Sequence, residues 1–338
     1  MAILRVAFIA LVGAVIFQAL SLPIPWMLGP LFTVLLSQFL LKQSLQWSPK
    51  FRNAGLIILG VAIGNAFDLT LFKNIGPVLI YMFLITVVLI IFCLGIAFLL
   101  HKTIGLPLKT AVTSSVPGGL SQLILFAEEE KDVDIATVTF YHVVRVIAVV
   151  MFVPFIISGE VVKEVSTTFE GSWLVLIGIV ILATGSVFVG KKIYLPVPQF
   201  LSPILLVIIL KVFTVEVPEL PASLLHIAQL FIGAYIGLLL KPKMLKLPWK
   251  VLIGGIASTL AMIALTYGSS IIIANVLNLS FETSFLSTAP GGLDQMGILA
   301  AAVGADISVV TIFQLFRLLF IFFIVLPLMK WFYRKAIK

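Results

Sequence analysis

Between Ile80 and Leu100 the chain runs for 21 residues without one charged side chain. As a helix such a run covers about 30 Å, the thickness of the hydrocarbon core of a bilayer. Trp173 to Val189, Val251 to Ala274 and Leu318 to Met329 are similar, alone or with their flanks. Barrel strands would alternate polar and apolar residues, and these runs do not. Because 61% of the 338 residues are hydrophobic and 11% charged, the chain also carries more apolar surface than one soluble core of this length hides. The expectation is an all-α polytopic membrane protein.

Two features invite other readings. Arg5 followed by an apolar stretch to Leu20 is signal-like, but a small-residue cleavage site is missing, so the stretch is read as a helix. The net charge of +8 would suggest nucleic acid in a soluble domain; here it reports which loops face the cytoplasm, and no nucleic acid is expected. The single cysteine, Cys93, lies inside an apolar run and excludes an intrachain disulfide.

The apolar chain interrupts itself twice in the same words, TSSVPGGLSQ from Thr113 and STAPGGLDQ from Ser287. The two phrases are 173 residues apart, and the offset recurs. Pro23, Pro25 and Pro30 fall on Pro196, Pro198 and Pro203, and Gly60 and Gly64 fall on Gly233 and Gly237. With one residue of slippage Asp134 and Arg145 match Asp306 and Arg317. Several agreeing spacings indicate duplication. Residues 1–157 form the first repeat, 158–171 a connector and 172–338 the second.

Each repeat holds five long apolar segments, at 3–20, 26–41, 53–67, 76–100 and 135–157, then 172–190, 199–213, 222–240, 251–276 and 307–329. Lysine and arginine orient them. In the first repeat the basic loops follow the second and fourth segments (Lys42, Lys50, Arg52; Lys102, Lys109), whereas in the second they follow the first and third (Lys191, Lys192; Lys241, Lys243, Lys246, Lys250). If five segments cross per repeat and the Pro-Gly-Gly segment dips in and returns, all of these clusters share one side with Arg5 and the tail from Lys330. Only Lys73, Lys163 and Lys211 oppose them. The expectation is two inverted repeats of about five transmembrane helices, each with a re-entrant or broken Pro-Gly-Gly helix, and both termini cytoplasmic.

Broken backbone at mid-membrane is tolerated where it is buried in protein or lines a wet cavity. The helices starting after Gly119 and Gly292 would point positive dipole ends and free N–H groups into that space. Pro117, Gly118, Gly119, Ser121 and Gln122, with Pro290, Gly291, Gly292 and Gln295, are therefore candidate substrate-binding residues. Arg145 and Arg317 each lie eleven residues after an aspartate, deep in the span, where an arginine needs partners. They would either bind an anionic solute such as a carboxylate or cap carbonyls of the broken helices. Asp294, which replaces Ser121 in the second repeat, is the candidate for H⁺ or Na⁺ coupling; His142, one turn before Arg145, is a second. Gly60, Gly64, Gly233 and Gly237 are expected to let helices pack closely.

The arrangement LPIPWMLGP, GLIILGVAIG and VPGGLSQLILFAEEEKDVDIATVTFYHVVRV, repeated as LPVPQFLSP, AQLFIGAYIG and APGGLDQMGILAAAVGADISVVTIFQLFRL, resembles the AbrB family of duplicated bacterial membrane proteins over nearly the whole chain. The resemblance implies a two-repeat inner-membrane protein with a transporter-like fold. Members have carried the labels ammonia monooxygenase and regulator of aidB expression. Metal-dependent oxidation needs clustered ligands, and the three histidines, His101, His142 and His226, are scattered. No metal, cofactor or enzyme activity is expected. The reading is a secondary transporter of a small anionic organic solute, with the bilayer and a second copy of the chain in a homodimer as the other partners expected. The alternative is a channel or a sensor that affects gene expression indirectly, with an intramembrane enzyme a distant third.

Overall fold

Each of the ten long apolar segments falls on a helix. In the first half these are α1 (Ala2–Ala19), α2 (Pro25–Leu40), α3 (Pro49–Ala66), α4 (Ile75–Ile104) and, after the interrupted pair α5 (Leu108–Ser115) and α6 (Leu120–Glu129), α7 (Ile135–Ile157). In the second half they are α8 (Trp173–Lys192), α9 (Pro198–Val212), α10 (Ala222–Gly237) and α11 (Trp249–Leu277). The interrupted pair α12 (Phe281–Thr288) and α13 (Leu293–Val303) then precedes α14 (Ile307–Phe320) and α15 (Leu326–Lys335), which a π-helical turn, Ile321–Val325, joins. This computed structural model describes residues 2–41, 45–68, 70, 75–130, 132–157 and 171–335. The connector, apart from residue 171, and Lys42, Lys73 and Lys163 lie outside the described residues.

Among the described residues seven helices are long and apolar enough to cross a membrane, by length and composition. They run over Ala2–Ala19, Val78–Ile104, Ile135–Ile157, Trp173–Lys192, Ala222–Lys246, Trp249–Leu277 and Ile307–Arg334. The expected crossings α2 and α9 are shorter, at 16 and 15 residues. Proline truncates both, at the first helical position. The residue before it, Ile24 at φ 47° and Val197 at φ 46°, is left-handed. Two β-branched residues held there store on the order of 1–3 kcal/mol each. That both halves keep this turn shows how strongly the surrounding structure determines it.

The chain forms two compact units, and each draws on both halves of the sequence. The first comprises Met1–Leu71, Pro154–Leu239 and Gly297–Ser308; the second comprises Phe72–Val153, Leu240–Met296 and Val309–Lys338.

In the first unit α2 packs on α1 and α10, and α9 packs on α3 and α8. Close approach is reciprocal. A Cβ on Gly60 would lie 2.7 Å from the Phe200 carbonyl, and one on Gly233 would strike the carbonyl of Met27, the residue equivalent to Phe200. Likewise Gly64 meets Ile204 and Val207, while Gly237 meets their equivalents, Leu31 and Val34. Helix ends are exchanged too. Lys211 donates to the carbonyls of Asn65 and Phe67 at the end of α3, at 2.7 and 2.8 Å. Gln38, its equivalent, donates to the Gly237 carbonyl at the end of α10, at 2.7 Å. Lys211 is thus a helix cap, which explains why it stands apart from the other cations in the charge pattern.

The second unit is organised on α4 and α11. Gly254 and Gly255 of α11 admit Leu100 and Ile104 of α4 and Phe140 and Tyr141 of α7, around a core that includes Leu89, Cys93 and Met262. A second cluster joins Val116, from the first helix interruption, to Phe126, Ile321, Val325, Met329 and Tyr333.

Candidate functional site

Helix α5 ends at Ser115 and α6 begins at Leu120, and Pro117 in the gap has no N–H to carry the helix through. α12 and α13 are parted in the same way, between Thr288 and Leu293. Each interruption leaves orphan carbonyls on one helix and orphan amides on the next.

The carbonyls are taken by side chains from α7 and α14. Arg145 donates from Nη1 to the Ser115 carbonyl at 3.3 Å, and Arg317 donates from Nη1 to the equivalent Thr288 carbonyl at 3.0 Å. Arg317 also donates from Nη2 to the Gly291 carbonyl at 3.2 Å. One turn earlier, His142 Nε2 bonds the Thr113 carbonyl at 3.0 Å, and Gln314 Nε2 donates to the equivalent Leu286 carbonyl at 2.6 Å and to Ala289 at 3.2 Å. His142 Nδ1 and Gln314 Oε1 then accept from the Nη2 atoms of Arg145 and Arg317. A carbonyl only accepts and a guanidinium only donates, so His142 is the neutral tautomer with its proton on Nε2.

Both arginines are buried, 3% and 7% exposed, and their hydrogen-bond partners are carbonyls and neutral side chains. Cationic charge at a helix C-terminus opposes the negative end of the dipole. Carbonyl capping, one of the two roles expected for these residues, is what this geometry performs. Arg145 and Arg317 lie within electrostatic range of one another and of Cys93 on α4, all in the second unit.

The amide ends carry the glutamines. Gln122 and Gln295 each occupy the third position of their helix, and each turns its amide oxygen back over the glycine that precedes it. A Cβ on Gly119 or Gly292 would collide with that oxygen. Gln at this position is the residue type a capping box uses, and glycine leaves room for the returning oxygen. The Gln295 oxygen, however, is buried without a hydrogen-bond partner and makes no bond to a helix amide. Asp294, 6% exposed, lies against Gly292, in the first turn of α13 where an acidic group meets the positive end of the dipole. Pro117 and Pro290 are buried, Gly118 is exposed, and Gly119, Gly291 and Gly292 are half-buried. Ser121 lies on α6, and its side chain is outside the described ones. The hydroxyls of Ser114 and its equivalent Ser287 are buried and unpartnered beside the capped carbonyls.

Other polar residues near the interruptions do different work. Asp134 caps α7 through the amides of Ala136 and Thr137, at 3.1 and 3.3 Å, and Asp306 caps α14 through Ser308 at 2.9 Å. The Thr113 hydroxyl meets the Tyr333 hydroxyl at 3.0 Å, which itself donates to the Lys109 carbonyl at 3.0 Å. This tie and the π-helical turn against Val116 escaped sequence reasoning. Tyr333 sits in a basic tail that reads as solvated, and a π turn has no residue signature. Among the described residues no group of three or more His, Cys, Asp or Glu side chains is placed to hold a metal.

The family model described as "Transition state regulatory protein AbrB" matches residues 26–333. A Bacillus subtilis (strain 168) protein, YhjN, whose function is not characterised, is 24% identical over 355 aligned positions, covering 96% of this chain and 91% of its own. An AbrB-like regulator of Escherichia coli (strain K12) is 27% identical over 312 positions, covering 89% of this chain and 88% of its own. Matched from its second helix to its last, the chain belongs to the AbrB family.

Proposed function

We propose that the protein is a secondary transporter of a small anionic organic solute, bound where α5 passes to α6 and α12 passes to α13. The observation that carries this reading is the pair of buried arginines engaged by neutral partners. Together with the positive ends of α6 and α13 they make the surroundings of both interruptions electropositive, with Asp294 as the acidic group beside them. In a low-dielectric interior such a field favours an anion and opposes a cation. The arginines act as fixed braces that supply the field, while the amides following Gly119 and Gly292, Gln122, Gln295 and the Ser114 and Ser287 hydroxyls make the contacts.

The reciprocal contacts of the first unit support inverted repeats of five crossing helices each, with the Pro-Gly-Gly segments dipping in from opposite faces. An operation that exchanges α2 with α9 and α3 with α10 is a two-fold one, and the alternating charge pattern sets its axis in the membrane plane. Both termini then face the cytoplasm of a bacterium, in its inner membrane. Alternating access would proceed by movement of one set of elements against another. Coupling to H⁺ or Na⁺ is assigned to Asp294, because both nitrogens of His142 are committed.

The rival is a channel or a sensor on the same fold, and the regulatory descriptions of the family and of the Escherichia coli relative favour a link to gene expression. A transported solute would supply that link indirectly. Proteoliposomes loaded with labelled solute decide between these: saturable exchange against external unlabelled solute marks a carrier, and unsaturated flux marks a channel.

A further inference from the structure

The stretch KPKMLKLPWK, from Lys241 to Lys250, joins α10 to α11 with four lysines. No acidic residue occurs between Glu219 and Glu282. All four lysines are exposed, and none makes an ion pair among the described residues. Its backbone is nonetheless held in place. Pro242–Lys246 forms a turn of 3-10 helix, and Met244 and Leu247 pack into the core built on α4 and α11. Two large apolar side chains on the same stretch face outward instead, Leu245 at 44% and Trp249 at 66% exposure. The end of α4 adds to the charge, because Ile104 and Leu100 meet Gly254 of α11 and bring the exposed Lys102 to this end of the unit.

We propose that this segment is a binding surface for the headgroups of anionic phospholipids. Four cations around an exposed tryptophan and leucine, at the start of a helix long enough to span a bilayer, match both parts of such a lipid. The lysines meet the phosphate, and Trp249 and Leu245 enter the interface beneath it. A simple marker of topology would require only the charge. The duplicated architecture does not demand the cluster either, since the equivalent stretch at 68–77, DLTLFKNIGP, has one lysine and an aspartate. The inference rests on the protein being membrane-embedded and is independent of what, if anything, it transports.

The test uses the full-length protein in phosphatidylcholine vesicles containing either brominated phosphatidylglycerol or brominated phosphatidylcholine at equal mole fraction. Trp249 emission is isolated as the difference between the native protein and Trp249→Phe. Brominated phosphatidylglycerol is expected to quench Trp249 several-fold more strongly, with the preference falling stepwise as lysines are changed to glutamine and lost in the fourfold variant. The fourfold Lys→Arg variant at 241, 243, 246 and 250 should retain it, which separates charge from any folding defect of the glutamine series. Equal quenching by the two lipids, or a preference that survives the fourfold Lys→Gln change in a folded protein, would overturn the proposal. Loss of the preference on adding millimolar inorganic phosphate at constant ionic strength would also overturn it, in favour of a site for free anions.

Discussion

His142 and Gln314 do one job with two chemistries: each donates from Nε2 to a carbonyl of an interrupted helix and accepts from the arginine one turn later. An imidazole with its proton on Nε2 presents a donor and an acceptor much as a primary amide does, which is why the duplicated site accommodates both residues. His142→Gln is therefore expected to leave the melting temperature of the purified protein within a few degrees of the native value. His142→Ala leaves a buried carbonyl and a guanidinium N–H unpaired and should cost about 1–3 kcal/mol. Equal destabilisation by Gln and Ala would contradict the equivalence.

The arginines differ in how much each holds. Arg317 binds two carbonyls and the Gln314 oxygen, whereas Arg145 binds one carbonyl and the His142 nitrogen. Lysine keeps the charge but loses the planar fork. Arg317→Lys should lower thermal stability more than Arg145→Lys, and removing either guanidinium should cost about 1–3 kcal/mol for each buried carbonyl left unpaired. The order of the two Lys variants is the readout, taken in one detergent at one pH.

The reciprocal glycine contacts predict paired defects. Gly60→Ala and Gly233→Ala each place a methyl against the backbone carbonyl of a facing helix, which neither helix moves aside easily. Both are expected to destabilise by about 1–3 kcal/mol, as overpacking does. Gly178→Ala on α8 meets nothing within 4 Å and should be neutral or stabilising by up to about 1 kcal/mol, from helix propensity alone. Circular-dichroism melts of the three variants compare them directly.

Cys93 is fully buried in the neighbourhood of both arginines. Maleimide should fail to label the native protein and label it completely after denaturation in dodecyl sulfate. If alternating access admits water between the interrupted helices, a small charged methanethiosulfonate should label Cys93 slowly, and bound solute should slow it further. Rapid labelling by bulky maleimide in the native state would mean that this core is open.

The helices were legible because membrane-length elements are written in composition, and α4, α8 and α11 follow from long apolar runs alone. The interruptions were legible because proline and glycine state their backbone consequences directly. What Arg145 and Arg317 bind was not, since a carbonyl acceptor can belong to any residue and leaves no trace in side-chain identity. The same holds for the carbonyls that face Gly60 and Gly233. The glycine spacing announced close packing, but the exchange of partners between halves emerges only when α2, α3, α9 and α10 are seen together.

Whether the two helix interruptions bind an anion is read from thermal unfolding of the detergent-purified protein against a panel of carboxylates, amino acids, inorganic anions, ammonium and Na⁺ at two pH values. A ligand that binds only the folded state raises the melting temperature. A carboxylate or inorganic anion is expected to do so, and Gln295→Ala to abolish the shift while the unliganded protein melts as before. A shift given only by a cation and lost in Asp294→Asn, with every anion silent, would contradict it.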